Sequence, residues 1–242
     1  MTIQTPIKSS LDEFPITNKW APKNPEHIQL YSLPTPNGVK VSILLEELGL
    51  PYDAHQVSFA TNDQFSPEFL SLNPNNKIPA IIDPAGPDGA PVGLFETGAI
   101  LTYLADKADT EGKLLPREGA ARYETLQWLF WQVGGFGPML GQLGFFHKFA
   151  GKEFEDKRPR DRYVDETKRL FGVLNTQLEG KEWITGTYSI ADIAVAPWVR
   201  TVVDFYEAGD LIGIDDFPNV TAYLERFLAR PAVQAGLKQP AS

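Results

Sequence analysis

The sequence predicts an α/β or α+β unit built on a small mixed sheet, followed by an all-helical unit. Three observations carry that expectation. Between residues 27 and 108, short strand-like runs take turns with runs of helical period. Beyond residue 117 the apolar repeats have helical spacing only. Between the two, residues 109–117 set Gly112 and Pro116 among mostly polar or charged side chains, the composition of a joint.

Residues 1–26 hold Pro6, Pro15, Pro22 and Pro25 and follow neither period, so they are expected to form an extended arm. Phe14 and Trp20 equip the arm to dock on the body or on a partner subunit. His27-Ile28-Gln29-Leu30-Tyr31 alternates as a first strand, and Val39, Ile43, Leu44 and Leu48 then recur at helical spacing until Gly49 and Pro51 end the run. A second strand is expected over 52–57, a short helix over 67–70, a third strand over 78–83 and a fourth near 92–94 after the loop at 84–89. A helix from 97 to about 108, with Ile100, Leu101 and Leu104 on one face, closes a βαβαββα series of thioredoxin-like size.

In the helical part a long helix from about 118 presents Leu126, Leu129, Phe130 and Val133, then meets Gly134, Gly135, Gly137 and Pro138, which should bend or break it. A second long helix over about 160–178 is amphipathic through Val164, Leu170, Val173 and Leu174. The helix after Ser189 is apolar nearly all round, through Ile190, Ile193, Ala194, Val195, Ala196 and Trp198, and belongs at the centre of its unit. Shorter helices near 220–228 and 231–237 finish the chain. The expected domains are an arm at 1–26, an α/β unit at 27–108, a joint at 109–117 and a helical unit at 118–242.

Composition removes several function classes. The 242 residues contain no cysteine, so a CxxC redox pair, a protein thiolate nucleophile and a Cys-type zinc site are all excluded. Any thiol chemistry must import its thiol. A net charge of −9 and a pI near 4.9 argue against a nucleic-acid partner, whose binding rests on clustered Lys and Arg. No apolar run approaches the ~20 residues of a membrane span, no secretory signal opens the chain, and the lack of cysteine fits a reducing compartment, so a cytoplasmic address is expected. His27, His55 and His147 are scattered without helical pairing, and no metal site is expected.

The chemistry is expected at Tyr31-Ser32-Leu33-Pro34-Thr35-Pro36-Asn37-Gly38-Val39-Lys40, a strand that stops at a stiff, proline-rich turn and opens into a helix. Thr35 and Asn37 offer side-chain donors beside unpaired helix-start amides, a setting that favours an anion or a thiolate. Other signals have plain structural readings. Ser189-Ile190-Ala191-Asp192 has a hydroxyl and a carboxylate at the spacing of a capping box, which accounts for Asp192 without catalysis. Glu96-Thr97, ahead of a helix, reads by itself as an ordinary cap. Ile78-Pro79 is expected to be trans, because only about 5–6% of X-Pro bonds are cis. The aromatics Trp128, Phe130, Trp131, Phe136, Phe145, Phe146 and Phe149 invite a hydrophobic-substrate pocket, but core packing explains most of them equally well. The run 152–158 is mixed in sign and reads as a solvated surface.

Taken together and in this order, the pieces resemble the glutathione transferase superfamily across roughly residues 27–235. They are Thr35-Pro36-Asn37-Gly38; Asn73-Pro74-Asn75-Asn76-Lys77-Ile78-Pro79-Ala80; Leu94-Phe95-Glu96-Thr97-Gly98-Ala99-Ile100-Leu101-Thr102-Tyr103-Leu104; and Ser189-Ile190-Ala191-Asp192. Thr35-Pro36-Asn37-Gly38 and Leu126-Gln127-Trp128-Leu129-Phe130-Trp131-Gln132-Val133-Gly134-Gly135 look like the bacterial nu class, whose members reduce disulfides with glutathione and lack a catalytic Tyr, Ser or Cys at the turn. The resemblance implies a thioredoxin-like N-terminal domain and an all-α C-terminal domain. It implies that Thr35 and Asn37 donate to the glutathione sulfur and that Glu96 receives the γ-glutamyl ammonium. Thr97 would bind the γ-glutamyl carboxylate, and Ile78 would pair its backbone with the cysteinyl unit beside a cis Pro79, against the base rate. Gln64 and Arg162 match positions that contact glutathione, with Lys77 a further candidate. Thr97 stands where serine is commoner and keeps the hydroxyl; the arm before residue 27 is longer than in the shortest relatives.

The function expected is a cytoplasmic, homodimeric, glutathione-dependent disulfide reductase that takes glutathione as co-substrate, with no metal. Its partners would be glutathione and a small disulfide or electrophile. Conjugation of glutathione to carbon electrophiles is the alternative within enzymes, and a non-catalytic glutathione-binding regulator the alternative outside them.

Overall fold

The computed structural model describes residues 8–241. The first strand, β1 (Ile28–Ser32), is buried along its whole length and is central in a four-stranded sheet. A right-handed-helical run follows it as α1 (Gly38–Leu48), stopped by Gly49 at φ +62°, and the chain returns as β2 (Tyr52–Gln56) parallel to β1. A short helix, α2 (Pro67–Leu72), is capped by Ser66, whose hydroxyl accepts from the Phe69 amide. Two antiparallel strands, β3 (Ala80–Asp83) and β4 (Val92–Phe95), complete the order β2-β1-β3-β4, and α3 (Thr97–Ala108) follows. This is the thioredoxin-like arrangement.

The register decides where the functional turns fall. Tyr31 of β1 pairs with Ala80 of β3, and Ala80 pairs with Phe95 of β4. The end of β1, the entry to β3 and the end of β4 therefore lie at one end of the sheet. The turn at 33–37, the Ile78-Pro79 bond and the Glu96-Thr97 pair all sit at that end.

The arm differs from expectation. Its residues 1–7 lie outside the described residues, but from Leu11 it folds into two 3-10 turns, Leu11–Glu13 and Pro15–Asn18. Leu11, Phe14 and Ile16 are buried with Tyr31, Val57, Phe69 and Ile82, and the Trp20 indole donates to the Gln56 carbonyl at 2.9 Å. Single 3-10 turns carry no readable period, and burial of several large apolar side chains holds the segment down.

Contacts divide the chain inside α3: one unit runs to Tyr103 and takes in the chain from Ala235 onward, and the other is Leu104–Gln234. The cut lies ahead of the joint expected at 109–117, and the chain from Ala235 joins the first unit because the final turn packs on α1, where the Ser42 hydroxyl donates to the Gly236 carbonyl at 2.8 Å. Residues 109–115 are a structured loop. The buried Asp109 carboxylate accepts from the amides of Lys113, Leu114 and Leu115.

The second unit holds α4 (Gly119–Trp131), a π-helical segment at 132–136, α5 (Gly137–His147), α6 (Arg158–Gln177), α7 (Ile190–Arg200), α8 (Gly209–Ile212) and α9 (Pro218–Leu228). A last helix, α10 (Pro231–Gly236), leads back to the first unit. The glycines after Val133 do not break the helix but widen it into the π segment. Phe130 is 64% exposed rather than on the buried face, because α4 and its continuation bury Thr125, Leu129, Gln132 and Phe136 instead. As the sequence predicts, α7 is buried from Ile190 to Val199.

Candidate functional site

At the end of β1 the chain must reverse within a few residues, and Gly38 makes this possible. A Cβ there would lie 1.9 Å from the Leu33 carbonyl oxygen and 2.6 Å from Ser32 Oγ. Thr35 Oγ1 accepts from the Gly38 amide at 3.1 Å, and the Thr35 carbonyl accepts from the Val39 amide at 3.0 Å, so Thr35 starts the helical hydrogen bonding. Its hydroxyl oxygen is an acceptor within the turn, which leaves the hydroxyl proton as a donor.

Asn37 takes the N-cap position of α1 without capping it. Its Oδ1 instead accepts from Lys40 Nζ at 2.8 Å. With Nζ donating to it, the amide oxygen faces the lysine and the Nδ2 donor faces away from it. Lys40 is fully buried, and burial drives its ammonium well below the usual lysine range while the charge of Glu96 opposes the shift. The pattern-based reading missed Lys40. Its position three residues before Ile43 and four before Leu44, on the apolar stripe of α1, was the available signal.

The neighbouring hydroxyls do not compete with this pair. Tyr31 is buried in the arm cluster, and burial pushes its phenol well above the usual tyrosine range. Ser32 is buried, with its hydroxyl directed to the Leu33 carbonyl at 3.4 Å.

The Ile78-Pro79 bond is cis, as the family resemblance implied and against the expectation from base rates. Asn73 builds the approach to it: its side chain donates to the Lys77 carbonyl at 2.6 Å and accepts from the Asn75 amide at 2.9 Å. Ile78 precedes the ladder, since β3 begins at Ala80. Lys77 is exposed beside it.

Glu96 stands at φ +73°, the left-handed region that a glutamate adopts only when its surroundings require it. Its carbonyl accepts from the Ile100 amide at 2.9 Å, so it opens α3, and its side chain is exposed. Thr97, buried at the first helical position, adds a hydroxyl where the start of α3 leaves its first amides without helical partners. Gln64 lies in the 3-10 turn Asp63–Phe65, and its buried Oε1 has no hydrogen-bond partner among the described residues. Arg162 belongs to the helical unit, exposed on α6 and lining a cleft of about 530 Å³ with Met139, Tyr163, Asp165, Glu166 and Arg169.

Residues 26–106 match the family model of the glutathione S-transferase N-terminal domain, and residues 138–231 match that of the C-terminal domain. The chain belongs to the glutathione transferase family. The disulfide-bond oxidoreductase YfcG of Escherichia coli is 48% identical over 214 residues, spanning 87% of this chain and 95% of that one. A solved glutathione transferase from Pseudomonas putida, with one glutathione disulfide bound per subunit, matches at TM-score 0.93 and 64% identity, covering 96% of this chain and 100% of its own. Another, from Burkholderia graminis with two glutathione molecules bound per subunit, matches at TM-score 0.93 and 66% identity, covering 99% and 98%.

Proposed function

We propose that the chain is a glutathione-dependent disulfide-bond reductase whose nucleophile is the thiolate of bound glutathione. The observation that carries this is the pair Thr35 and Asn37: two side-chain donors at one helix start, in a chain with no cysteine and with Tyr31 and Ser32 turned to other partners or buried. Preorganised donors and a helix N-terminus lower the free energy of a sulfur anion without a protein base. Glu96 would receive the γ-glutamyl ammonium, Thr97 the adjoining carboxylate, and Ile78, beside Pro79, the cysteinyl backbone. Gln64, whose buried Oε1 has no partner among the described residues, would gain one from the ligand. Lys77 and Arg162 would add positive charge toward an anionic ligand.

Sulfur chemistry follows from the site. The glutathione thiolate attacks one sulfur of the substrate disulfide, forming a mixed disulfide and expelling the other sulfur as a thiolate, which takes up a proton. A second glutathione thiolate attacks the glutathione sulfur of the mixed disulfide and releases the second substrate thiol, so two glutathiones are oxidised to one glutathione disulfide. The bound states of the two solved relatives, two glutathiones in one and a glutathione disulfide in the other, match the start and end of such a cycle. A homodimer and a cytoplasmic address belong to the same proposal; no described helix is long and apolar enough to cross a membrane.

The test is a side-by-side assay of disulfide reduction and of conjugation to an aryl halide, for wild type and Asn37→Ala. Wild type is expected to reduce the disulfide far faster than it conjugates, and Asn37→Ala to lose about a hundredfold in kcat/KM for reduction, the scale of one lost oxyanion donor. Reduction by Asn37→Ala at the wild-type rate would remove the assigned role. Tight glutathione binding with neither activity would point to a regulator.

A further inference from the structure

Lys40 is a basic residue buried without exposure in the first turn of α1, where an apolar side chain would pack at lower cost in desolvation. Its side chain reaches back one turn to Asn37 Oδ1 at 2.8 Å, and the Glu96 carboxylate acts on it electrostatically from the turn after β4. Among the described residues of the elements packed on α1, β1 holds Tyr31 as its one ionisable group, β2 meets α1 where the Tyr52 hydroxyl donates to Glu46 Oε1 at 2.6 Å, and the segment from Ala235 contributes the exposed Lys238.

An amide without such a partner can present either its oxygen or its nitrogen to a ligand. Oxygen toward a thiolate would be repulsive, and nitrogen toward it stabilising. Lys40 settles the choice, because its Nζ donates to Oδ1 and so holds the oxygen on its own side.

We propose that Lys40 is a positioning residue of the thiolate site, which acts by holding Asn37 Oδ1 so that the Asn37 Nδ2 donor is presented to the glutathione sulfur. This rests on the reading of Asn37 as the thiolate donor and deepens it. No covalent or proton-transfer step is assigned to Lys40. Its replacement by methionine preserves length and volume and relieves a buried charge, so Lys40→Met is expected to fold with a thermal stability at or above that of wild type.

The experiment compares wild type, Lys40→Met, Lys40→Gln, Asn37→Ala and the double variant Lys40→Met/Asn37→Ala. Two quantities are read: kcat/KM for reduction of a small aliphatic disulfide with glutathione, and the pKa of bound glutathione from the ultraviolet absorbance of its thiolate. Lys40→Met is expected to lose about tenfold or more in kcat/KM, with the bound thiol pKa raised. Lys40→Gln, which keeps a donor toward Oδ1, is expected to recover part of both. In the Asn37→Ala background, Lys40→Met should change neither, because its only route to sulfur has been removed. A loss in Asn37→Ala with none in Lys40→Met, or an additive loss in the double variant, would overturn the positioning role while leaving the donor assignment intact. Unchanged activity in Asn37→Ala would overturn the donor assignment itself. Melting temperatures of all five proteins separate a folding defect from either outcome, and Lys40→Gln carries the test if Lys40→Met does not fold.

Discussion

Thr35 serves the fold and the proposed chemistry through one oxygen. That oxygen accepts from the Gly38 amide, so Thr35→Ala removes a helix-start bond and a hydroxyl donor together. Thr35→Ala is expected to lower stability by about 1 kcal/mol and to reduce disulfide turnover, while Thr35→Ser restores both. Denaturant unfolding and kcat/KM measured on the same preparations check this; if stability falls without any loss of turnover, the hydroxyl is a cap and nothing more. Gly38 is less forgiving, since the nearest atom to an added Cβ is a backbone carbonyl at 1.9 Å that cannot rotate away. Gly38→Ala is expected to destabilise the protein by roughly 3 kcal/mol and to abolish glutathione binding, read by calorimetry. Wild-type affinity in that variant would mean that the turn can be rebuilt.

At the scale of elements, α7 shows how a helix start can carry a pH dependence. Ser189 Oγ accepts from the Ala191 amide, and the Asp192 carboxylate accepts from the amides of Ser189 at 2.8 Å and Ile184 at 3.0 Å. This matches the capping box expected from the sequence. Burial pushes the Asp192 carboxyl up to about 6 against those donors, above the ordinary value of 3.8. Because the folded value is the higher one, the contribution of Asp192 is fully present below pH 3.8 and is lost as the pH rises through about 6. Asp192→Asn does not titrate. Its stability deficit relative to wild type should therefore shrink by roughly 2 kcal/mol between pH 4 and pH 7, measured by urea unfolding. A deficit that stays constant over that range would contradict the raised value.

The arm illustrates the opposite case. Proline and polar residues hid its local structure, because its two 3-10 turns are too short for periodicity, but Phe14, expected to dock the arm on the body or a partner, is buried and its ring would lie 3.0 Å from a Cβ on Gly93. Phe14→Ala is expected to cost about 3 kcal/mol, seen as an earlier unfolding transition. An unchanged transition would show that the arm contributes no stability.

For the molecule as a whole, the legible parts were those in which local pattern and tertiary role agree. The extents of α3 and α6 followed from apolar spacing, and the turns at 35–38 and 96–97 from proline, glycine and capping chemistry, whereas the cis bond at 78–79 followed from the family resemblance alone. That these turns share one end of a sheet did not follow from any of them separately. It depends on the pairing of Tyr31 with Ala80 and of Ala80 with Phe95, which are long-range contacts. Lys40 was hidden for a different reason: charge patterning places lysines outside, whereas this one is buried against Asn37 and under the influence of Glu96. Phe130 failed in reverse, as a residue at core spacing whose helix turned another stripe inward. The net charge of −9 makes such local arrangements necessary, since the global field disfavours an anionic ligand and only nearby donors and cations can offset it.

The central claim is that the turn at Thr35 and Asn37 stabilises a borrowed thiolate. Its most direct test is ultraviolet titration of glutathione bound to wild type and to Asn37→Ala. The bound thiol in wild type is expected to titrate at least a full unit below an ordinary thiol near 8.5, and to move back toward that value in Asn37→Ala. The same pKa in both proteins would contradict the claim.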